Sequence, residues 1–302
     1  MGMDNQFCGS IYCTIFDKNY VVRALTLYTS LIRHNRRSLF VFFCMDDESV
    51  ALLSALNLER ASVLHPSTFI VPPLSLVRPN RSQGEFCWTT KPFALSHLAK
   101  AYPNAEWLIY VDTDTMFFAD PDLALPPEPK QYLLTPHRFY GSFSRFSGAG
   151  QFNAGYFAVR NVASGSEIAA WWGQRCIESC SSVATDTTYA DQKYLDEMIR
   201  VFPSGEISAH LGLNAAPWNI GQFSVGGSAD QPTVEKDPLI LYHFQALRIY
   251  RSGLIDLYGG DESISTKVRE FIYLPYLARL AESFQRIRHT RDDSNSELSV
   301  LP

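Results

Sequence analysis

Two aspartates one residue apart close an apolar run in the stretch WLIYVDTDTMFFADP, residues 107–121. The run Trp107 to Val111 is aromatic and β-branched, which suits a strand buried on both faces of a parallel or mixed sheet. Asp112 and Asp114 follow it, and residues two apart on an extended chain point to the same side. Open α/β sheets place ligands at that C-terminal edge, so the pair is positioned to share one cation. Hard carboxylate oxygens so placed suit Mg²⁺ or Mn²⁺ carrying a diphosphate. The blander reading of D-x-D is a solvated turn or a helix cap. The buried strand before it argues for the metal, because a charge at that depth needs a cation or several donors. The next acids, Asp120 and Asp122 around Pro121, read as ordinary turn punctuation.

Alternating elements must position these acids. Gly9 to Phe16 reads as a strand, Asp17 to Asn19 as a turn, and Val21 to Ile32 as a helix. Leu39 to Met45 is a second buried strand, with a helix over Glu48 to Leu56. Alternation of this kind implies a largely parallel sheet covered by helices on both faces. Pro72, Pro73 and Pro79 mark a loop before a helix over Phe86 to Tyr102, with Pro92 expected in or near its first turn. Pro126, Pro127 and Pro129 lead to a short strand, Tyr132 to Thr135. Gly141 to Gly150 (GSFSRFSGAG) reads as a loop, either a mobile one near the site or a plain surface one. Phe152 to Arg160 is a strand interrupted by Gly155, a mark of close approach by a ligand or another backbone. Ile168 to Cys180 and Asp191 to Arg200 read as helices, the latter with Asp191 as an acidic N-terminal residue or cap. Leu239 to Phe244 is a buried strand containing His243, whose blander role is a satisfied core histidine.

At 302 residues with 46% hydrophobic content, the chain can bury one large core. We expect one domain over residues 1–260, an amphipathic, basic helical appendage over 261–291, and a disordered tail over 292–302. The appendage either packs on the domain or also touches a membrane or partner. A net charge of −5 argues against a general nucleic-acid binder. With no basic start followed by an apolar stretch and no run long enough to span a bilayer, the protein is expected to be soluble and cytoplasmic, with contact to the inner membrane face as an option. Six dispersed cysteines read as reduced thiols. Cys176 and Cys180 share a helical face, but no second pair completes a zinc site.

Strand-edge Asp112 and Asp114, the Asn153, Ala154, Gly155 turn, the Asp191, Gln192 pair and His243 together resemble the retaining GT-A glycosyltransferases, family 8 in particular, over most of residues 7–250. The resemblance implies a Rossmann-like GT-A fold of mixed, mostly parallel sheet and a nucleotide-sugar donor, UDP-linked by preference. It makes Asp112, Asp114 and His243 the ligands of Mn²⁺ or Mg²⁺, with Asp112 and Thr113 also near the nucleotide. It places the nucleobase on Thr14, Phe16, Asp17 and Tyr20, and Lys91 on the donor. The sugar falls to Asn153, Ala154 and Gly155, with Asp191 and Gln192 flanking its anomeric carbon. Asn214 and Trp218, in HLGLNAAPWNI, are expected to shape the sugar or acceptor pocket.

One departure stands out. After the histidine the family often has a glycine and then a phosphate-binding lysine, whereas this chain reads His243, Phe244, Gln245, Ala246, Leu247, Arg248. Arg248 is the nearest substitute. The expected reaction is hexosyl transfer to an acceptor hydroxyl on a glycan, lipid or protein, with retention following from the resemblance only. Two alternatives stay open: a non-catalytic nucleotide- or glycan-binding module on the same fold, and a haloacid-dehalogenase-type phosphatase. The latter's loop wants threonine or valine where this chain has Met116.

Overall fold

The computed structural model describes residues 7–250, 252–260 and 263–292. Its first half alternates: β1 (Ser10–Phe16), α1 (Val21–His34), β2 (Leu39–Cys44), α2 (Asp47–Ala55), β3 (Ala61–Leu64), a short α3 (Leu74–Val77), α4 (Gln83–Ala101) and β4 (Trp107–Val111). Then come β5 (Thr115–Phe117), β6 (Tyr132–Pro136), β7 (Phe152–Arg160), α5 (Ala163–Glu178), α6 (Leu195–Val201) and β8 (Gly205–Ile207). Seven of these strands form one sheet in the order β3–β2–β1–β4–β7–β6–β8. β7 runs antiparallel to both of its neighbours, while the other pairings are parallel. This is the mixed, mostly parallel α/β architecture the alternation implies, and C-terminal helices complete it.

Strand residues divide between two cores with period two. Ile11, Cys13, Ile15, Leu108 and Tyr110 pack with Leu95 and Leu98 of α4 and Trp172 of α5. Tyr12, Phe16, Phe40, Phe42, Trp107 and Ile109 pack on the other face with Leu25 and Leu31 of α1. β1 and β4 are buried throughout because helices cover both of their faces.

Beyond β8, three short strands, β9 (Val225–Gly227), β10 (Pro232–Val234) and β11 (Asp237–Pro238), make a small antiparallel sheet. β12 (Leu241–His243) leaves it to pair antiparallel with β5. A last pair, β13 (Arg248–Ile249) and β14 (Ile255–Asp256), precedes α7 (Thr266–Val268), a π-turn over Arg269–Tyr273 and α8 (Leu274–Asp292). The C-terminal helices do pack on the body of the protein. Ile272, Tyr273, Tyr276 and Leu280 share a core with Met116 of β5 and Tyr242 of β12, and the Phe244 ring stacks on Tyr276 at 3.6 Å. Among the described residues no helix is long and apolar enough to cross a membrane. Residues 293–302 of the expected tail, and residues 1–6 at the other end, lie outside the described residues.

Three local expectations are corrected. α4 starts at Gln83, so Pro92 lies in mid-helix and not in the first turn. The cause is a capping box: Ser82 accepts from the Glu85 N–H while the Glu85 carboxylate accepts from Ser82. Asp191 does not cap a helix, since α6 begins only at Leu195. Leu239 to Phe244 contributes only Leu241–His243 as strand, and that strand joins β5 instead of the main sheet. The loop expected over 141–150 folds as 3-10 turns over 141–149, with Phe143 buried against Trp218 and the segment lying at the cleft.

Glu85 does more than cap. Its carboxylate also accepts from the Ser182 N–H at 2.8 Å and the Ser182 hydroxyl at 3.0 Å, tying the start of α4 to the loop after α5. The Ser182 and Ser82 amides hold its pKa down from 4.5 to about 2. A depressed carboxyl stabilises the fold fully above its unfolded pKa, and that contribution is lost as pH falls toward the folded value. Glu85→Gln should therefore lower the unfolding free energy by about 1 kcal/mol at neutral pH. In urea titrations the gap to wild type should shrink between about pH 4.5 and about pH 2; a gap independent of pH would rule out the carboxylate as the tie.

Candidate functional site

The parity of β4 decides where its acids go. Leu108 and Tyr110 face α4, and Asp112 continues that set one step past the strand, its N–H bonded to Gly155 O at 2.8 Å. Thr113 turns the other way, its hydroxyl donating to Ile15 O at 3.1 Å and lying 2.8 Å from the Thr14 hydroxyl. The hydroxyl pair pins this turn to β1 and leaves Asp112 and Asp114 free to face the same cleft.

The pairing of β12 with β5 sets His243 opposite Thr115, and Phe244 N–H bonds to Asp114 O at 2.8 Å. That register delivers the imidazole to the carboxylates. His243 Nε2 lies 3.1 Å from Asp114 Oδ1 and 3.9 Å from Asp112 Oδ2. One ligand atom from each of the three residues falls within 4.8 Å of the others, so Asp112, Asp114 and His243 are able to hold a metal ion. Two hard oxygens and one imidazole nitrogen fit Mn²⁺ or Mg²⁺ in octahedral coordination, with further positions left for ligand oxygens. Gly155 makes the approach possible: a Cβ there would meet the His243 ring at 2.8 Å and Asn153 Oδ1 at 2.6 Å. Burial disfavours a charged His243 ring, but Asp114 and then Asp112 outweigh it and raise its pKa. Burial works against the Asp114 carboxylate too, yet the His243 ring pulls its pKa down to about 2.

Behind this trio lies a buried cation. Lys91 Nζ is 3.1 Å from Asp112 Oδ1 and 3.2 Å from Asp191 Oδ2, and lies 4.8 Å from the Tyr110 ring centroid. Tyr110 donates its hydroxyl to Asp112 Oδ1 at 2.8 Å. Burial alone would lower the Lys91 pKa, but Asp112 and Asp191 reverse this and raise it, so the ammonium stays charged. For Asp191 burial wins over Lys91, and its pKa rises from 3.8 to about 6. The preceding Ala190 sits at φ 48°, a left-handed conformation that costs an L-residue about 1–2 kcal/mol. Trp172 Nε1 fixes the same turn by donating to Asp191 O at 2.9 Å.

A polar network supports the far wall. Asn153 Oδ1 accepts from Gly155 N–H and from Asn214 Nδ2, each at 2.9 Å. Asn153 Nδ2 reaches His137 Nε2 at 3.3 Å and Gln192 Oε1 at 3.4 Å, and Gln192 Nε2 donates to Ala149 O at 3.0 Å. The structure thus brings Phe16, Asp17, Tyr20, Lys91, Asp112, Thr113, Asp114, Asn153, Asp191, Gln192, Trp218 and His243 onto one cleft of about 630 Å³. The other expected residues do not line it. Thr14 and Asn214 are buried behind the wall, Ala154 offers its carbonyl to Lys91, and Gly155 lies under His243. Arg248 is exposed on β13 and stands outside the cleft; among the described residues the cation that bears on Asp114 is Arg23 of α1, which helps lower its pKa.

Sequence reasoning missed Tyr110, Trp88 and His137, all on the cleft wall. Tyr110 had a signal, since it shares the strand face of Asp112 two residues on. Trp88 had one in its i, i+3 relation to Lys91. His137 had none, because a shift of register between Leu134 and Thr135 re-aims the end of β6. Cys13, Cys44, Cys87, Cys176 and Cys180 are free thiols, and Cys180 lies beyond the end of α5.

No family model matches the chain. It is 29% identical over 290 residues to YfnD, an uncharacterized protein of Bacillus subtilis (strain 168), covering 93% of this chain and 92% of that one. It is 28% identical over 258 residues to YfnF, another uncharacterized protein of the same organism, covering 80% and 82%. Among solved structures, a glycosyltransferase involved in the glycosylation of the major capsid of PBCV-1 is similar with a TM-score of 0.49 at 13% identity, over 92% of this chain and 99% of that one.

Two variants test the site. Lys91→Met leaves two facing carboxylates without their cation and should cost about 3–5 kcal/mol of stability near neutral pH. An acid whose folded pKa is raised contributes stability that is present below 3.8 and lost as pH rises through about 6, so the penalty should be smaller at the acid end of that window. Denaturation curves showing no penalty near pH 7 would refute the role of Lys91. Gly155→Ala should weaken Mn²⁺ binding, read by calorimetry, at least about tenfold while leaving the circular dichroism of the fold intact; wild-type affinity would mean that His243 is no ligand.

Proposed function

We propose that the protein is a metal-dependent glycosyltransferase that moves a hexose from a nucleotide-diphospho-sugar, a UDP-sugar by preference, to an acceptor hydroxyl with retention of anomeric configuration. One observation carries the reading: Asp112, Asp114 and His243 converge on the floor of a cleft large enough for such a donor. These three would hold the Mn²⁺ or Mg²⁺. When bound, the metal supplies neutralisation of the negative charge that gathers on the departing diphosphate.

Each wall residue then has a task. Asp17 accepts from the nucleobase and Tyr20 covers it, both at the cleft margin beside β1. The Lys91 ammonium locks Asp112 and Asp191 in place, which orients one metal ligand and keeps Asp191 beside the transferring sugar. Asn153 and Gln192 present amides to the sugar hydroxyls, held at set angles by their mutual contact. Gln192 stabilises the cationic sugar as its bond to the diphosphate loosens. Because the Asp191 carboxylate is already engaged by Lys91, it serves poorly as a general base, and a departing phosphate oxygen takes the acceptor proton instead. We read residues 1–260 as the transferase unit in a cytoplasmic setting, with 261–291 as its helical brace. Exposed basic residues of α8 such as Arg286 provide for contact with an acidic membrane surface.

A thermal-shift screen of nucleotide-sugars with Mn²⁺ tests this directly. A donor at about 100 times its Kd should stabilise the fold by about 2.7 kcal/mol, visibly raising the melting temperature. Asp112→Ala and Asp114→Ala should abolish that shift and reduce metal-dependent donor hydrolysis at least about a hundredfold. Undiminished turnover in either variant would remove the acids from the metal site, and binding of donors without hydrolysis or transfer would instead favour a non-catalytic binding module.

A further inference from the structure

The cleft lining is divided by charge. Asp17, Lys91, Asp112, Asp114 and Asp191 supply its charged groups among the described residues, with His243 at their border. From His243 an aromatic wall runs outward. Trp218 meets His243 edge-on at 5.1 Å, His137 meets Trp218 at 5.9 Å, and Phe139 stacks on His137 at 4.4 Å and 13°. Phe143 packs beside Trp218, and Phe146 lies 6.4 Å beyond Phe143. Phe146 is 47% exposed, whereas Phe143 and Trp218 are buried.

An exposed phenylalanine on an unsupported loop would carry little meaning, but this one is held at several points. Lys193 Nζ donates to Gly148 O at 3.0 Å, Gln192 Nε2 donates to Ala149 O, and His137 Nδ1 lies 2.9 Å from Gly150 O. His137 is buried, and burial lowers its pKa to about 4, so near neutrality its ring adds no charge to the wall. Arg145 lies over the Phe146 ring at 4.9 Å from outside the cleft lining and Phe143 tilts against it at 44°, yet the side chain remains 47% exposed. Beside the rings, the cleft offers the amides of Gln192 and Gln245 and the hydroxyl of Tyr189. Flat apolar faces with neutral hydrogen-bonding groups at their margin match a pyranose, which has an apolar C–H face and a rim of hydroxyls. They match an anionic acceptor less well: the described lining at this end holds no cation, and Arg145 beside Phe146 is an exposed side chain outside that lining.

We propose that the aromatic end of the cleft is the acceptor subsite, and that it takes an uncharged glycan whose terminal pyranose stacks on Phe146. The proposal rests on the glycosyl-transfer reading, to which it adds the acceptor class. The acceptor hydroxyl enters from the aromatic side, toward Gln192 and Asp191, while the nucleotide occupies the charged side. One glycosidic bond forms at the acceptor oxygen as the bond to the diphosphate breaks, and the acceptor proton leaves with the diphosphate.

Saturation-transfer NMR of the full chain tests this with a panel of neutral methyl glycosides and disaccharides and with their uronate and 6-phosphate counterparts. Neutral members should bind with the strongest transfer to the protons of one C–H face. The charged counterparts should bind no better. Phe146→Ala should weaken the best neutral ligand about tenfold, and Phe146→Trp should restore it. Because Phe146 is exposed, both variants are expected to fold, and circular dichroism checks this. Equal affinity in wild type and Phe146→Ala, or a preference for the charged members, overturns the proposal. The donor thermal shift, run in parallel, separates the two readings. If saccharide binds but no nucleotide-sugar does, the aromatic end is a saccharide site without an acceptor role and the transfer reading falls; if a donor binds and no neutral saccharide does, the subsite falls alone.

Discussion

The burial of one ammonium constrains everything around the cleft. Lys91 reaches from the middle of α4 into a space where water cannot serve it, and Asp112 and Asp191 must converge on it to keep it charged. Those two acids come from opposite regions of the chain, one from the end of a strand and the other from a turn following α5. A desolvated charge tolerates few geometries, so the ion pairs fix the distance between strand edge and turn. The left-handed Ala190 and the Trp172 tie are consistent with that demand, since each holds Asp191 inward where an ordinary helix cap would face solvent. Removing the cation would leave like charges facing each other; removing an acid would leave the cation half compensated.

What could be read in advance follows from the same physics. The β1, β2 and β4 strands were legible because both faces are covered, which leaves near-continuous apolar runs ended by acids. The pairing of Asp112 with Asp114 was legible because side-chain direction along a strand has period two. The partnership of Lys91 with Asp191 was not, because no local pattern records that residues 100 apart meet across a cleft. The capping box at Ser82 and Glu85 is written in the sequence, and it outranks Pro92 as the start signal of α4. Pro92 is accommodated in mid-helix, where burial of the surrounding α4 face against the sheet offsets the lost hydrogen bond. For 141–149 composition announced the loop but not its anchor, since nothing local records that Phe143 packs against Trp218.

The site is also asymmetric in how it is supported. Asp112 follows β4 of the central sheet, but Asp114 leads into β5 and His243 lies on its partner β12, a pair outside that sheet. Tyr276 stacks on Phe244 and Tyr273 meets it edge-on, one residue from His243. The C-terminal helices therefore support the cluster of Asp112, Asp114 and His243, although none of their described side chains lines the cleft.

That arrangement has a temporal side. Residues up to the end of β7 can complete most of the central sheet, but β8 and the support beneath His243 arrive only with later parts of the chain. A protein still emerging from the ribosome, or one clipped between β14 and α7, would retain its acids without the packing that holds their third partner. The Asp112, Asp114 and His243 cluster is thus complete only once the C-terminal helices have packed beneath it.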